Sequence, residues 1–463
     1  MFDVDARSVV VLTHVCRYWR ESIISTPGNW TLVSSGDKDL MALSLERSKP
    51  VPLKLYLRMD EIRTIPEFSD LIMPYTRNTK TLRVEAILSV EEFMQKLPNF
   101  PQSMPNLWSL ELSKDTTGER GQSTDPFGSF APTLGALKLI AFPLYPSLLH
   151  FRALTELALF NGQFDLHLDI LLNFLEENRS LESVILSIRF TKPSLTLRSS
   201  QRPAAIGNRV RYLLIDYWDV MDGKALISNM TLPRGVQLEI VCCDKNTGLN
   251  DLLPGISTTQ LPGLSSPTSV DYEPRQRVIR LLGPNGSFSF GKSTGSQDPF
   301  IEFSLLPLAN VRKFHLIHHA PPLVQTPITP VFHPSFLPAL EIFTLDCDAS
   351  VSQLLSILLL NPSSLPSLKT LAFSNCRLST DFMEALTRFA SNRKNTTSTW
   401  LRRVVIVNPS SQNLPGVPAI EALRKHVPFV DVSVGRRLPV DLVWKAPGRF
   451  PNLPISLHWY GRV

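Results

Sequence analysis

Gly286-Ser287-Phe288-Ser289-Phe290-Gly291-Lys292-Ser293 fits the spacing G-x-x-x-x-G-K-[ST]. In that pattern backbone amides cradle phosphates, Lys292 would reach the β- and γ-phosphates, and Ser293 would hold magnesium. The chemistry also needs a helix opening at the lysine, whose N-terminal amides and dipole hold the anion. Here Thr294-Gly295-Ser296-Gln297-Asp298-Pro299 follows, a run that breaks helices. The motif therefore reads as a chance match in a Gly/Ser-rich loop. His315, His318 and His319 form a second cluster. On a strand His315 and His319 share one face and His318 points to the other, and no cysteine or carboxylate stands at ligand spacing, so no metal site is expected. The five cysteines, Cys16, Cys242, Cys243, Cys347 and Cys376, are odd in number and scattered, which fits reduced thiols in a cytoplasmic or nuclear protein. H-E-x-x-H does not occur. The expectation is a protein that binds partners, with no catalytic residue, no metal ligand and no cofactor.

Composition agrees with a folded binding protein. Hydrophobic residues make up 43% and charged residues 19% of 463 residues, enough apolar surface for a large core. No apolar run reaches the roughly 18 residues that span a bilayer, and the opening Met1-Phe2-Asp3-Val4-Asp5 lacks the basic start of a secretory leader. The net charge of +6 is spread in short pairs such as Arg402-Arg403 and Arg436-Arg437. Without a basic run interleaved with aromatics, nucleic acid is not the expected partner.

The elements that must position any binding residues are set by a repeat. The pattern L-x-x-L-x-L, allowing other apolar residues, begins at Leu107, Leu134, Leu154, Leu181 and Val210, then at Val311, Leu340, Leu368 and Leu401. The spacings lie between 20 and 33 residues apart from one gap of 101, the period of leucine-rich repeats. A weaker copy sits at Leu82, and the copy at Leu368 also has Cys376 at the expected place. Segments 165–178, 351–361 and 381–389 carry helical apolar spacing. One strand and one helix per repeat predict an α/β fold, a leucine-rich-repeat solenoid with a curved parallel sheet and outer helices, over 49–463. Within the gap, strands are expected at 236–241 and 278–282. Long loops are expected around 113–132, 191–209, 245–268 and 283–299.

In such strands the leucines point inward and the residues between them line the opposite, concave face. The third, fifth and seventh positions give that face its candidate partner-binding residues: Lys138 and Ile140; Phe160; Ile185; Tyr212 and Leu214; His315 and Ile317; Ile342; Arg403. Aliphatics are frequent in this row, as on surfaces that bind partners.

Ahead of the repeats stands a different signal. Val15-Cys16-Arg17-Tyr18-Trp19-Arg20 ends one helical stretch, Thr26-Pro27 breaks another, and Trp30 follows. This core resembles the second half of an F-box, the small helical module that docks on the Skp adaptor of cullin-type ubiquitin ligases. The resemblance covers about residues 4–35. Residues 45–55 resemble the linker strand of fungal F-box proteins with leucine-rich repeats. A full box opens with an L-P-x-E loop and a first helix; this sequence begins about half a box later, so a truncated helical segment over 1–48 is expected. By matching positions, the resemblance implies that Leu12, Val15, Cys16, Trp19 and Trp30 form the adaptor-binding part. It further implies a substrate-recognition subunit, joined through Skp to a cullin and holding a protein target on the repeats. The alternative reading is a repeat scaffold that binds a protein partner without engaging a ligase.

Overall fold

The computed structural model describes residues 6–58, 71–86, 104–114, 134–141, 151–164, 168–190, 203–217, 220–242, 252, 261–273, 278–292, 306–318, 337–347, 365–376, 378–396, 400–408 and 415–434. The fold is α/β, with strands that are mostly parallel. It divides into two compact units, Met1–Asp216 and Tyr217–Val463.

The first unit opens with helices α1 (Ala6–Thr13) and α2 (Arg17–Ile24), strand β1 (Leu32–Ser34) and helix α3 (Lys38–Arg47). Asp37 caps α3 by accepting from the Leu40 amide at 3.0 Å, which satisfies one of the amides a helix start leaves open. Strands β2 (Leu53–Arg58), β3 (Thr79–Ala86), β4 (Ser109–Lys114), β5 (Ala136–Ile140), β6 (Glu156–Phe164) and β7 (Ser183–Phe190) follow. Each pairs in parallel with the next, and β1 pairs in parallel with β2. Helix α4 (Leu168–Glu177) lies before β7, and the short β8 (Ala204–Ala205) precedes β9 (Tyr212–Tyr217), which is hydrogen-bonded beside β7.

The second unit contains helix α5 (Val220–Ser228), the short β10 (Met230–Thr231), and strands β11 (Gln237–Cys242), β12 (Ser269–Glu273), β13 (Val278–Gly283) and β14 (Gly286–Lys292). It continues with β15 (Lys313–His318), β16 (Ile342–Cys347), β17 (Thr370–Ser374), helix α6 (Thr380–Thr396), β18 (Arg403–Asn408), helix α7 (Val417–Arg424) and β19 (Phe429–Val434). Strands β15 to β19 pair in parallel in sequence order. The break in the pattern is β12–β13–β14, two antiparallel pairings, after which β14 lies parallel to β11 and β12 parallel to β15.

The first, fourth and sixth positions of all nine strong repeat copies are core residues, at most 4% exposed. In-register pairing places these positions side by side, so Leu110, Leu137, Leu157 and Val184 form one ladder and Phe314, Phe343, Leu371 and Val404 another. Phe314 and Phe343 stack at 5.8 Å between centroids. Helix α6 buries Phe382, Met383, Leu386, Phe389 and Ala390, one stripe of a 3.6-residue period, and Phe382 meets Phe373 of β17 edge-on at 5.3 Å. The helix expected over 351–361 falls outside the described residues.

The loop expected around 283–299 is corrected over its first half. Gly286–Lys292 is strand β14, because Phe288 and Phe290, two residues apart, put both rings on the core side. The strand β12 is likewise an element the Gly/Ser/Pro-rich sequence conceals. Gly286 closes the β13–β14 turn at φ +128, and a β-carbon there would stand 2.3 Å from the Val236 carbonyl oxygen. Gly286→Ala is therefore expected to destabilise the protein by on the order of 1–3 kcal/mol, read from the urea midpoint. An unchanged midpoint would contradict this account of the turn.

Candidate partner-binding surfaces

The N-terminal helices sort their apolar residues into two groups. Inward, Val9, Ile23 and Trp30 form a buried cluster against which Val10, Leu12, Leu40 and Leu43 pack. The Trp30 indole donates to the Ile23 carbonyl at 3.0 Å, and the Arg47 guanidinium lies 4.7 Å above its ring. Outward, Val11, Val15, Tyr18 and Trp19 are 66%, 62%, 75% and 47% exposed. The corner between α1 and α2 is fixed by polar contacts. Arg20 donates to the Thr13 carbonyl at 3.0 Å, and the extended Cys16 caps α2 by accepting from the Trp19 amide at 3.5 Å. The Arg17–Glu21 pair at 2.8 Å is highly exposed on both sides and contributes little.

Of the five residues taken from the box resemblance, Val15, Cys16 and Trp19 are exposed, and Leu12 is half-buried. Trp30 is corrected to a core residue: at 1% exposure it presents no surface to a partner, since its indole fills the module interior and spends its N–H internally. Tyr18, which the box resemblance does not single out, is the most exposed of the group at 75%; the sequence signal for it is that no apolar periodicity demands an inward position.

In the first unit the residues between the core ladders form aligned rows. Tyr56, Arg83, Glu111 and Lys138 occupy the same register on β2, β3, β4 and β5. Arg83 lies 4.6 Å over the Tyr56 ring and 3.5 Å from Glu111, and Lys138 meets Glu111 at 2.9 Å. Lys138 also stands 5.7 Å over the Phe160 ring. The Tyr56 hydroxyl donates to Glu85; burial first, then that hydrogen bond, pushes its pKa up to about 12. Such a tyrosine stays protonated and anchors the row. Lys138, Ile140 and Phe160 are partly exposed.

Toward β7 and β9 the face is closed. Ile185, Tyr212 and Leu214, expected on an open face, are 1%, 9% and 4% exposed. Ser187 donates to Asp216 at 3.0 Å beside them. At the other end of this region Glu156 has its carboxyl raised above the usual range, by desolvation first and by the Glu182 charge second. The folded state thus favours the protonated acid. Its contribution is fully present below the unfolded carboxylate range and is lost as pH rises through the folded pKa. Glu156→Gln is expected to raise the melting temperature slightly at neutral pH and to change nothing near pH 4, in a pair of thermal melts.

In the second unit His315 is corrected to a buried residue at 9% exposure. Its Nδ1 lies 3.5 Å from the Asp271 carboxylate on the neighbouring strand. Among the described residues its Nε2 makes no hydrogen bond, and no group of three metal-ligating side chains occurs. Ala372, Val405 and Val407 form a buried apolar cluster on this face, with Ile342 packed against it. Ile317, Ile342 and Arg403 keep partial exposure, and Arg403 pairs with Asp431 at 3.2 Å. Lys292, the would-be phosphate ligand, stands in strand β14 in register with Cys242, so the flexible amide cradle that a phosphate loop requires is replaced by ladder hydrogen bonds. Cys16 is exposed, and Cys242 and Cys376 are buried.

Among the described residues, no helix is long and apolar enough to cross a membrane. The sequence matches no protein-family model and no curated protein.

Proposed function

We propose that this chain is the substrate-recognition subunit of a Skp–cullin–F-box ubiquitin ligase, and that the strands of each unit are turns of a leucine-rich-repeat solenoid. The observation that carries the ligase reading is the outward group Val11, Val15, Tyr18 and Trp19 on a module whose own core is complete without them. Four large apolar side chains held in solvent by a fixed helical corner are costly for a monomer and fit a docking patch. Burial of the repeat leucines and the in-register parallel pairing support the solenoid reading. The protein target is held on the partly exposed rows, with Lys138, Ile140, Phe160, Ile317, Ile342 and Arg403 as its contacts.

The test is co-precipitation with purified Skp adaptor, comparing the parent chain with Val15→Ala/Trp19→Ala. Both residues are exposed, so the variant is expected to keep the parent circular dichroism and melting temperature. Capture of the parent and loss by the folded variant is the expected result. Equal capture of both would remove α1–α2 from the contact, and capture of neither would leave the scaffold reading.

A further inference from the structure

The turn between β13 and β14 holds a chemical conflict. Gly283 pairs with Gly286 across it, which leaves Pro284 and Asn285 as the loop residues. Glycine is required at 286, where φ is +128 and a β-carbon would stand 2.3 Å from the Val236 carbonyl oxygen. Asparagine before it suits a turn, and its polar groups are put to use. Nδ2 of Asn285 donates to the Ser265 hydroxyl at 2.8 Å and to that of Ser266 at 3.4 Å. Ser265 in turn donates to the Pro262 carbonyl at 2.8 Å. The Asn285 carbonyl accepts from the Gly235 amide at 2.8 Å. Asn285 thus ties the turn to the segment entering β12 by its side chain and to the approach to β11 by its backbone. Yet an asparagine followed by glycine is open to attack on its side-chain amide, because no β-carbon shields the glycine nitrogen. Pro284 and Ser265 are exposed, so water reaches the turn.

We propose that Asn285 is a site of spontaneous conversion to aspartate and isoaspartate, and that its contact with Ser265 and Ser266 sets the rate. The backbone nitrogen of Gly286 gives its proton to hydroxide and attacks Cγ of Asn285. The N–Cγ bond forms, the Cγ–Nδ2 bond breaks, and the amide nitrogen leaves as ammonia with a proton from water. Water then opens the cyclic imide. Breaking the new N–Cγ bond gives aspartate, which keeps the backbone of the turn. Breaking the original peptide bond gives isoaspartate, whose main chain runs through Cγ and is longer by a methylene. A turn this tight cannot take up that length and keep Gly283 opposite Gly286, so isoaspartate loosens the β13–β14 pairing. While the two hydroxyls hold Nδ2, the carboxamide is fixed and Cγ cannot swing onto the glycine nitrogen. The other Asn-Gly pair of the sequence, Asn161-Gly162, lies within strand β6 of the first unit and serves as an internal reference.

The test is timed incubation of the full chain at neutral and alkaline pH, followed by peptide mass mapping and enzymatic methylation of isoaspartyl carboxyls. The folded parent is expected to accumulate aspartate and isoaspartate at 285, faster at the higher pH. Ser265→Ala/Ser266→Ala should convert about fivefold faster, the factor that one ordinary hydrogen bond places on an equilibrium. Ser265→Ala alone, at an exposed position, should show part of that acceleration. Both variants are expected to keep the parent melting temperature and the parent rate at Asn161. Absence of conversion at 285 in parent and variants alike, equal rates in parent and double variant, or an equal acceleration at Asn161 would overturn the proposal.

Discussion

Trp30→Ala is expected to cost about 3–5 kcal/mol, the range for removing a large aromatic from a packed core, while Trp19→Ala leaves stability within about 0.5 kcal/mol. The two tryptophans are eleven residues apart in one short segment, yet one is 1% and the other 47% exposed. Trp30 carries the inward cluster of Val9 and Ile23, the stacked Arg47 and an indole hydrogen bond. Its loss uncouples α1 and α2 from α3. Trp19 belongs to no such cluster: its ring is 47% exposed, and its backbone amide bonds Cys16. Urea denaturation, with amide exchange of α1–α3 as a local readout, separates the two. Similar costs for both would mean that Trp19 belongs to the core and that the exposed patch has been misassigned.

Arg393→Met is expected to be the most damaging single change in the second unit, costing about 3–5 kcal/mol, as when one partner of a buried charged contact is removed. The side chain is fully buried on α6, and its guanidinium donates to the carbonyls of Leu365, Pro366 and Leu368 at 2.8, 3.4 and 3.2 Å. Burial lowers its pKa from the usual arginine value. They belong to the turn that leads into β17, so Arg393 ties the helix after that strand to the turn before it. Methionine keeps the length and withdraws every donor. Arg393→Lys should recover only part of the loss, since a single ammonium does not reproduce the planar fork. Arg388→Met, on the same helix with an exposed side chain paired to Glu384 at 3.7 Å, serves as the control and is expected to be near neutral. A melting temperature unchanged by Arg393→Met would contradict this role.

What could be read from the sequence followed from how each signal is generated. The leucine ladder was legible because burial at the first, fourth and sixth positions is a property of the strand itself, repeated until chance is a poor explanation. Leu371, Phe373 and Cys376 then fall where the pattern places them. Strand β14 was not legible, since Gly286, Ser287, Ser289 and Gly291 outweigh two phenylalanines in any reading of local propensity, and the pairing with β11 and β13 decides the matter from a distance. The face opposite the leucines was half legible. The alternation picks out its members, but whether Lys138 stays at the surface while Ile185 and His315 are buried depends on what lies above each strand. Arg393 gave no signal at all. Its partners are backbone carbonyls 25 to 28 residues away, and a carbonyl has no letter in the sequence. Trp19 and Trp30 look alike on the page for a related reason: the turn at Thr26-Pro27 decides which ring faces inward.

The measurement that bears most directly on the proposed role is a calorimetric titration of the full chain with the purified Skp adaptor. The account predicts saturable one-to-one binding with a negative heat-capacity change, the mark of apolar surface being covered, and its loss in the still-folded Val15→Ala/Trp19→Ala variant. Absence of binding by the parent chain, or binding that the variant retains, would contradict it.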